Sequence, residues 1–345
     1  MAGRCGAAGV APARRAAAGA APARGGWGAA RRAIHGRMAV LFVFVDGVGV
    51  GPRDPAVNPL AREEHLLSQF TDGGGAALPR GGRMALADAC LGVPGRPQSA
   101  TGQTAILTGE NAPRIIGKHL LGFPNARLRE IIEARSIFRA LVEAGRRGAL
   151  ANAYPVAYLQ AVGFPCEGEP EFSFGRYRPR ASATTIACAA GGGPLRTWED
   201  ARVGRGITAD ITAARSRWYG AEVPLRSAGR AADLFIELGR EHALTLFEFY
   251  ETDEAGHARS MERAREALSR LDAFLRAVVA RLPGGWSLVV ASDHGNVEDL
   301  SCRNHTCAPV PVLGFGTAAE RVAEVRDLTG LRPLLLSLAG VKGTG

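Results

Sequence analysis

From Met38 the chain runs apolar through "MAVLFVFVDGVGVG" (38–51) until Asp46 and a set of glycines interrupt it. A Val- and Phe-rich run this short reads as a buried strand rather than a lone helix. In "SATGQTAILTGEN" (99–111) small polar residues give way to helix-compatible ones, which predicts a loop leading into a helix at about Ser99. Apolar positions 128, 131, 132, 138, 141 and 142 predict helix across 126–147, in two pieces. Residues 148–229 lose that regularity. Prolines and the Gly191–Gly193 triplet chop them into short strand candidates without a chemical motif. Regular alternation then returns, with a strand over 243–250 and an amphipathic helix over 260–282. That helix is apolar at 264, 267, 268, 271, 274, 275, 278 and 279. "WSLVVA" (286–291) and "VPVLGFG" (310–316) predict two more strands, and 327–340 a last helix stopped by Gly340. Strand–helix–strand order at both ends of an irregular middle predicts an α/β core with an insertion.

Composition narrows the class. A chain of 345 residues, 46% hydrophobic and 22% charged, has the length for one large or two ordinary globular domains. No apolar run is long enough to span a bilayer, so no membrane is expected. The net charge of +9 is unevenly placed. Residues 1–37 hold seven arginines, no lysine and no acid, and +9 less those seven leaves +2 for residues 38–345. A basic face for nucleic acid is therefore not expected. That Ala/Arg/Gly/Pro-rich segment has little to bury and reads as disordered. Arg14-Arg15 is not followed by the apolar stretch of a twin-arginine signal, and Met38, directly before the first strand, reads as the natural start. The six cysteines form no CxxC pair or dense framework, which suits a reducing cytoplasm.

The glycines after Asp46 do not make a dinucleotide loop, because GxGxxG from Gly47 would need glycine where Pro52 stands. What the pattern offers instead is polar side chains at strand ends, where open α/β sheets bind ligands. Asp46 closes the first strand. Asp253 and His257 follow the second in "DEAGH". Asp293 and His294 follow "WSLVVA", and His305 comes soon after in "NHTCAPV". Each alone is an ordinary turn, cap or surface residue. Together, with three of the seven histidines between 257 and 305, they form a mixed Asp/His set suited to Mn²⁺, with Zn²⁺ as the alternative. Six ligands exceed one open site and suit two divalent ions. Ser99 at a helix start then becomes a candidate nucleophile, activated by a cation and flanked by backbone N–H donors for a phosphate. Gly295 is expected to loosen a turn that brings Asp293 and His294 to one ion. Asn296, Glu298 and Asp299 read as supporting or surface residues outside the set. Arg114, Lys118 and His119 in "RIIGKH" are candidate substrate contacts, against a reading as a solvated basic loop.

The ordered pattern Asp–Ser–DxxxH–DH–H resembles the alkaline phosphatase superfamily, and most of all its metalloenzyme branch, which holds cofactor-independent phosphoglycerate mutase and phosphopentomutase. The resemblance covers roughly 38–120 and 240–340. Ser99-Ala100-Thr101-Gly102 matches the branch's S/T-x-x-G nucleophile motif. It implies a three-layer αβα core with a mostly parallel sheet, built from 38–124 and 230–345, and a smaller inserted cap over 125–229. It also implies that Asp253, His257 and His305 hold one metal, and Asp46, Asp293 and His294 the other, with Ser99 bridging towards it. The implied reaction is phosphoryl transfer on a small phosphorylated metabolite through a phosphoserine, as a phosphatase or a phosphomutase. A nucleotide phosphodiesterase or pyrophosphatase, and a non-catalytic metal-binding relative, are the alternatives. Gln103 stands where those mutases have His, the middle segment carries none of their substrate-domain motifs, and the sulfatase signature is absent.

Overall fold

A computed structural model describes residues 38–341. The segment 1–37, read above as disordered, lies outside the described residues. In chain order the strands are β1 (Val40–Val45), β2 (Arg83–Ala87), β3 (Gly148–Leu150), β4 (Asn152–Tyr154), β5 (Arg196–Thr197), β6 (Ile207–Thr208), β7 (Leu244–Phe249), β8 (Ser287–Ser292) and β9 (Val310–Gly316). The α-helices are α1 (Ser99–Thr108), α2 (Ala112–Ile116), α3 (Ala126–Arg135), α4 (Ile137–Glu143), α5 (Val156–Ala161), α6 (Ala183–Ala190), α7 (Trp198–Arg202), α8 (Ala228–Glu241), α9 (Glu251–Ala258), α10 (Met261–Arg281) and α11 (Leu331–Leu338).

The main sheet has the order β2-β9-β8-β1-β7-β3. β1 lies between β8 and β7, parallel to both, and β3 is parallel to β7. Successive β1 side chains point to opposite faces. Leu41, Val43 and Val45 join one apolar layer with Phe235 of α8 and Phe274 of α10. Val40, Phe42 and Phe44 join the other with Ile106 of α1, Phe138 of α4 and Leu335 of α11. Covering both faces is what makes the strand apolar without alternation, and it yields the expected three-layer αβα arrangement. In α10 the buried residues are the eight apolar positions of the sequence pattern, and the Ser260 hydroxyl caps the helix by accepting from the Arg263 amide.

β9 departs from the parallel pattern. It runs antiparallel to β8, and β2 antiparallel to β9. The departure has a consequence for the site. An antiparallel neighbour starts at the edge where β8 ends, so residues 293–309 stay at one edge instead of crossing a face as a helix. The pattern also did not predict β2 or α8. β2 is an edge strand with mixed exposure, and the buried side of α8 includes Ala231, Ala232 and Gly239 beside its large residues. The middle segment divides. β3 extends the main sheet and α6 packs in the same layer as α4 and α11. β4, β5 and β6 form a separate parallel sheet in the order β5-β4-β6. Among the described residues no helix is long and apolar enough to cross a membrane.

Candidate metal centre

Because β8, β1 and β7 are parallel and in register, Ser292, Val45 and Phe249 end level with one another. The next residues of the two outer strands therefore flank Asp46. Gly47 then turns the chain at φ +76°, and a Cβ there would meet the Asp253 Cβ at 2.8 Å. Only glycine allows both that turn and that approach. The loop is held by buried bonds: the amide of Val48 to the Ser292 hydroxyl (2.9 Å) and that of Gly49 to the Glu298 carboxylate (2.8 Å). The Thr252 hydroxyl donates to the Asp46 carbonyl at 2.5 Å, tying α9 to the end of β1.

Asp253 and His257 lie one turn apart on α9, with His257 Nε2 3.2 Å from Asp253 Oδ2. His305 Nε2 lies 3.5 Å from Asp253 Oδ1 and 3.1 Å from His257 Nε2. His294 Nε2 lies 3.2 Å from Asp46 Oδ1 and 3.5 Å from Asp293 Oδ2. The His294 and His305 rings stack with centroids 3.7 Å apart, which joins the two groups. Ser99, first residue of α1, places its hydroxyl 3.0 Å from His294 Nε2. The seven residues singled out in the sequence are thus together. Ligand atoms of Asp46, Asp293 and His294, and those of Asp253, His294 and His305, each fall within 4.8 Å of one another. The second grouping includes His294 and leaves out His257, where the sequence reading grouped His257 with Asp253 and His305.

The imidazoles are oriented by backbone. His305 Nδ1 faces the Pro97 carbonyl at 2.9 Å, His257 Nδ1 the Arg303 carbonyl at 3.0 Å, and His294 Nδ1 the Gly295 carbonyl at 3.4 Å. A carbonyl only accepts, so each Nδ1 is the donor, and in the neutral ring each Nε2 turns a lone pair inward. Those lone pairs meet carboxylate oxygens and one another. Asp46 Oδ1 and Asp293 Oδ2 are buried without a hydrogen-bond donor. Acceptors converging on acceptors need a cation between them, and Nδ1-to-carbonyl anchoring is how metal-bound histidines are held. The residues present fit divalent ions.

Electrostatics agree. Burial, and then the neighbouring carboxylates, push Asp46 and Asp293 well above the usual carboxylate range. Burial acts on Asp253 too, but the His257 and His305 imidazoles beside it outweigh that and hold this carboxyl low. The partnership with Asp253 raises His257 to about 9, and burial lowers His294.

Two supporting residues were not in the set read from the sequence. Glu298, 1% exposed, accepts from the amides of Gly49 and Asn296 (both 2.8 Å) and from the Thr306 hydroxyl. It fastens the loops that carry Asp46, His294 and His305. Asn296 donates to Asp253 Oδ1 at 2.6 Å. The glycine of "DEAGH" has its reason here, since a Cβ on Gly256 would reach within 2.5 Å of Asn296. Gly295 differs from expectation. It does not adopt a left-handed turn; it is glycine because a Cβ would collide with Thr306 and Glu298. Gly102 of S-A-T-G lies against Asp293, 3.1 Å from a would-be Cβ. Gln103 donates to Asp46 Oδ2 at 3.1 Å.

Beside His257 and His305 opens a cleft of about 470 Å³, lined also by Arg96, Gln98, Lys118, His119 and Leu121. Lys118 and His119 are therefore at the mouth of the site. Arg114 is exposed and does not line the cleft, and its place is in the cap of α2, where its amide donates to Asn111. Arg96 was not foreseen; it stands three residues before Ser99, outside any motif.

Residues 224–342 match the Metalloenzyme superfamily. The 2,3-bisphosphoglycerate-independent phosphoglycerate mutase of Desulforudis audaxviator is 31% identical over 126 residues, which is 34% of this chain and 25% of the mutase. That of Agrobacterium fabrum is 35% identical over 130 residues, with the same coverage. The matched stretch is thus a quarter of the mutases' length. The cold-active alkaline phosphatase of Shewanella sp. superposes with a TM-score of 0.52 at 14% identity, covering 89% of this chain and 100% of that one, which shows a shared fold.

Two outcomes follow. Protons compete with metal for His257, Asp46 and Asp293, so Mn²⁺ should raise the melting temperature by roughly 10 °C at pH 8, as for about 4 kcal/mol of binding at saturation, and by far less at pH 5. In the metal-free chain, carboxyls raised by burial favour folding while protonated and disfavour it once ionised. Its stability should therefore fall as the pH rises through their folded values. A melting-temperature series over pH, with and without Mn²⁺, checks both signs. Glu298→Ala strands several buried donors and should cost about 3 kcal/mol or more in urea unfolding.

Proposed function

We propose that this chain is a member of the metalloenzyme branch of the alkaline phosphatase superfamily, a reading supported by its family match, its mutase relatives and its fold, and a dinuclear-metal enzyme that transfers the phosphoryl group of a small phosphorylated metabolite through Ser99. The observation that carries the reading is the convergence of six Asp and His side chains, their lone pairs turned inward, around a hydroxyl at a helix N-terminus. Asp253, His257 and His305 would hold one ion, and Asp46, Asp293 and His294 the other. An Asp/His set without thiolate suits Mn²⁺ first and Zn²⁺ second. Bound divalent ions lower the pKa of the serine hydroxyl and offset charge on the phosphate oxygens.

The chain's own residues do the rest. Ser99 Oγ would give up its proton and attack phosphorus in line, so that the Ser–O–P bond forms as the P–O bond to the substrate breaks, and the departing substrate oxygen takes up a proton. The first amides of α1, without partners in the helix, would be donors for a phosphate attacked at Ser99. Gln103 and the Gly47 amide, donating to Asp46 and Asp293, fix those carboxylates. Transfer of the phosphoryl group from Ser99 to water makes a phosphatase, and transfer to a substrate hydroxyl a mutase; the first half-reaction is common to both. The cleft suits a small ligand, and Arg96, Lys118 and His119 would meet its polar end. Cys90, Cys166, Cys188, Cys302 and Cys307 are all free thiols, which suits a reducing cytoplasm.

Ser99→Ala should keep the fold and bind Mn²⁺, yet lose at least about 10³-fold in turnover of any phosphomonoester the parent accepts. Full activity would exclude this nucleophile. Lys118→Ala should raise KM about tenfold with little change in kcat, as for loss of one charge-assisted contact, whereas Arg114→Ala should change neither. Steady-state kinetics on the substrate found in a phosphorylated-metabolite screen decides both.

A further inference from the structure

α9 has eight residues and no side-chain cap at its start. A helix this short does not hold itself in water. Its first turn carries Glu251, Asp253 and Glu254. Asp253 faces the metal centre, while the two glutamates face elsewhere and meet arginines. Arg215, in the 3-10 turn 214–219 that follows the small sheet, places Nη1 2.9 Å from Glu251 Oε1 and 3.0 Å from Glu254 Oε2. Arg270 of α10 pairs with the other oxygen of Glu251. Glu251 is buried, at 7% exposed. Arg215 is itself fixed: its amide donates to Asp210 Oδ2 at 3.0 Å, and its guanidinium lies over the Trp218 and Tyr250 rings.

We propose that Arg215 and Arg270 are positioning residues for the candidate metal centre: by gripping Glu251 and Glu254 they set the pose of α9, and so of Asp253 and His257. Neither arginine touches a candidate ligand. Arg215 comes from the irregular middle of the chain, so that segment sets the affinity of one of the two metal positions from a distance. The inference rests on the dinuclear reading. Removing a positive charge near a cation site should, through the field alone, tighten metal binding. If the arginines act by position, removing either one loosens it, because a buried Glu251 left with one of its two arginines lets the helix shift.

The test is calorimetric titration of the metal-free full chain with Mn²⁺ at pH 7.5, for the parent, Arg215→Ala, Arg270→Ala, Arg215→Lys and His257→Ala. The parent should bind two ions. Each Arg→Ala variant should weaken one site about tenfold or more and leave the other within twofold. The weakened site should be the one that His257→Ala abolishes. Arg215→Lys, which keeps the charge but not the planar fork that spans two carboxylates, should fall between, and it carries the test if Arg215→Ala does not fold. Unchanged affinities with a lower melting temperature, tighter binding, or equal loss at both sites would overturn the proposal. A parent that binds no metal would instead overturn the dinuclear reading on which it stands.

Discussion

Everything at this site follows from one electrostatic constraint: Asp46, Asp253 and Asp293 are brought into one buried cluster with their imidazole neighbours turned lone pair first. Like charges at short range in a poorly hydrated pocket repel strongly. Without ions, burial first and that repulsion second drive Asp46 and Asp293 up, and the partnership with Asp253 raises His257. With two divalent ions the same atoms would become a matched ligand set. Local choices along the chain read as means of building that cluster. Three parallel strands end level, β9 runs backwards so that His294 and His305 share an edge, and glycines stand at 47, 102, 256 and 295 where backbones or side chains press together.

Rigidity comes from residues that never face the centre. Glu298 binds three loops through one carboxylate, and each ring is anchored at Nδ1 by a different carbonyl. Such anchoring matters because a ligand set works only when its side chains are held before the ion arrives. The glutamates of α9 extend the same logic outward. They let arginines from elsewhere in the fold steady a helix too short to steady itself.

Much of this was legible in the sequence. β1 and β8 announced themselves as apolar runs because both their faces are covered, β7 as a run broken only by Thr245 and Glu248, and α10 by an unbroken amphipathic stripe. The seven polar residues were found because strand ends concentrate them and because their order along the chain resembles a known family's. The rest was hidden for physical reasons. β2 is a half-exposed edge strand, and the buried side of α8 includes alanines and a glycine, so neither breaks the local pattern. The direction of β9 depends on pairing across the sheet. The sequence left Glu298 as either a supporting or a surface residue, because a charged residue reveals burial only through its partners, here Gly49, Asn296 and Thr306. Gly295 suggested a turn, although what it relieves is a contact with residues three and eleven positions on. Lys118 and Arg114 sit in one short motif, yet only Lys118 lines the cleft.

The most direct test of the central claim is anomalous diffraction from crystals of the chain soaked in Mn²⁺. The account predicts two anomalous peaks, one within bonding distance of Asp253, His257 and His305, the other of Asp46, Asp293 and His294, with the Ser99 hydroxyl beside the second. Absence of metal at these side chains, or a single ion sharing all six, would contradict it.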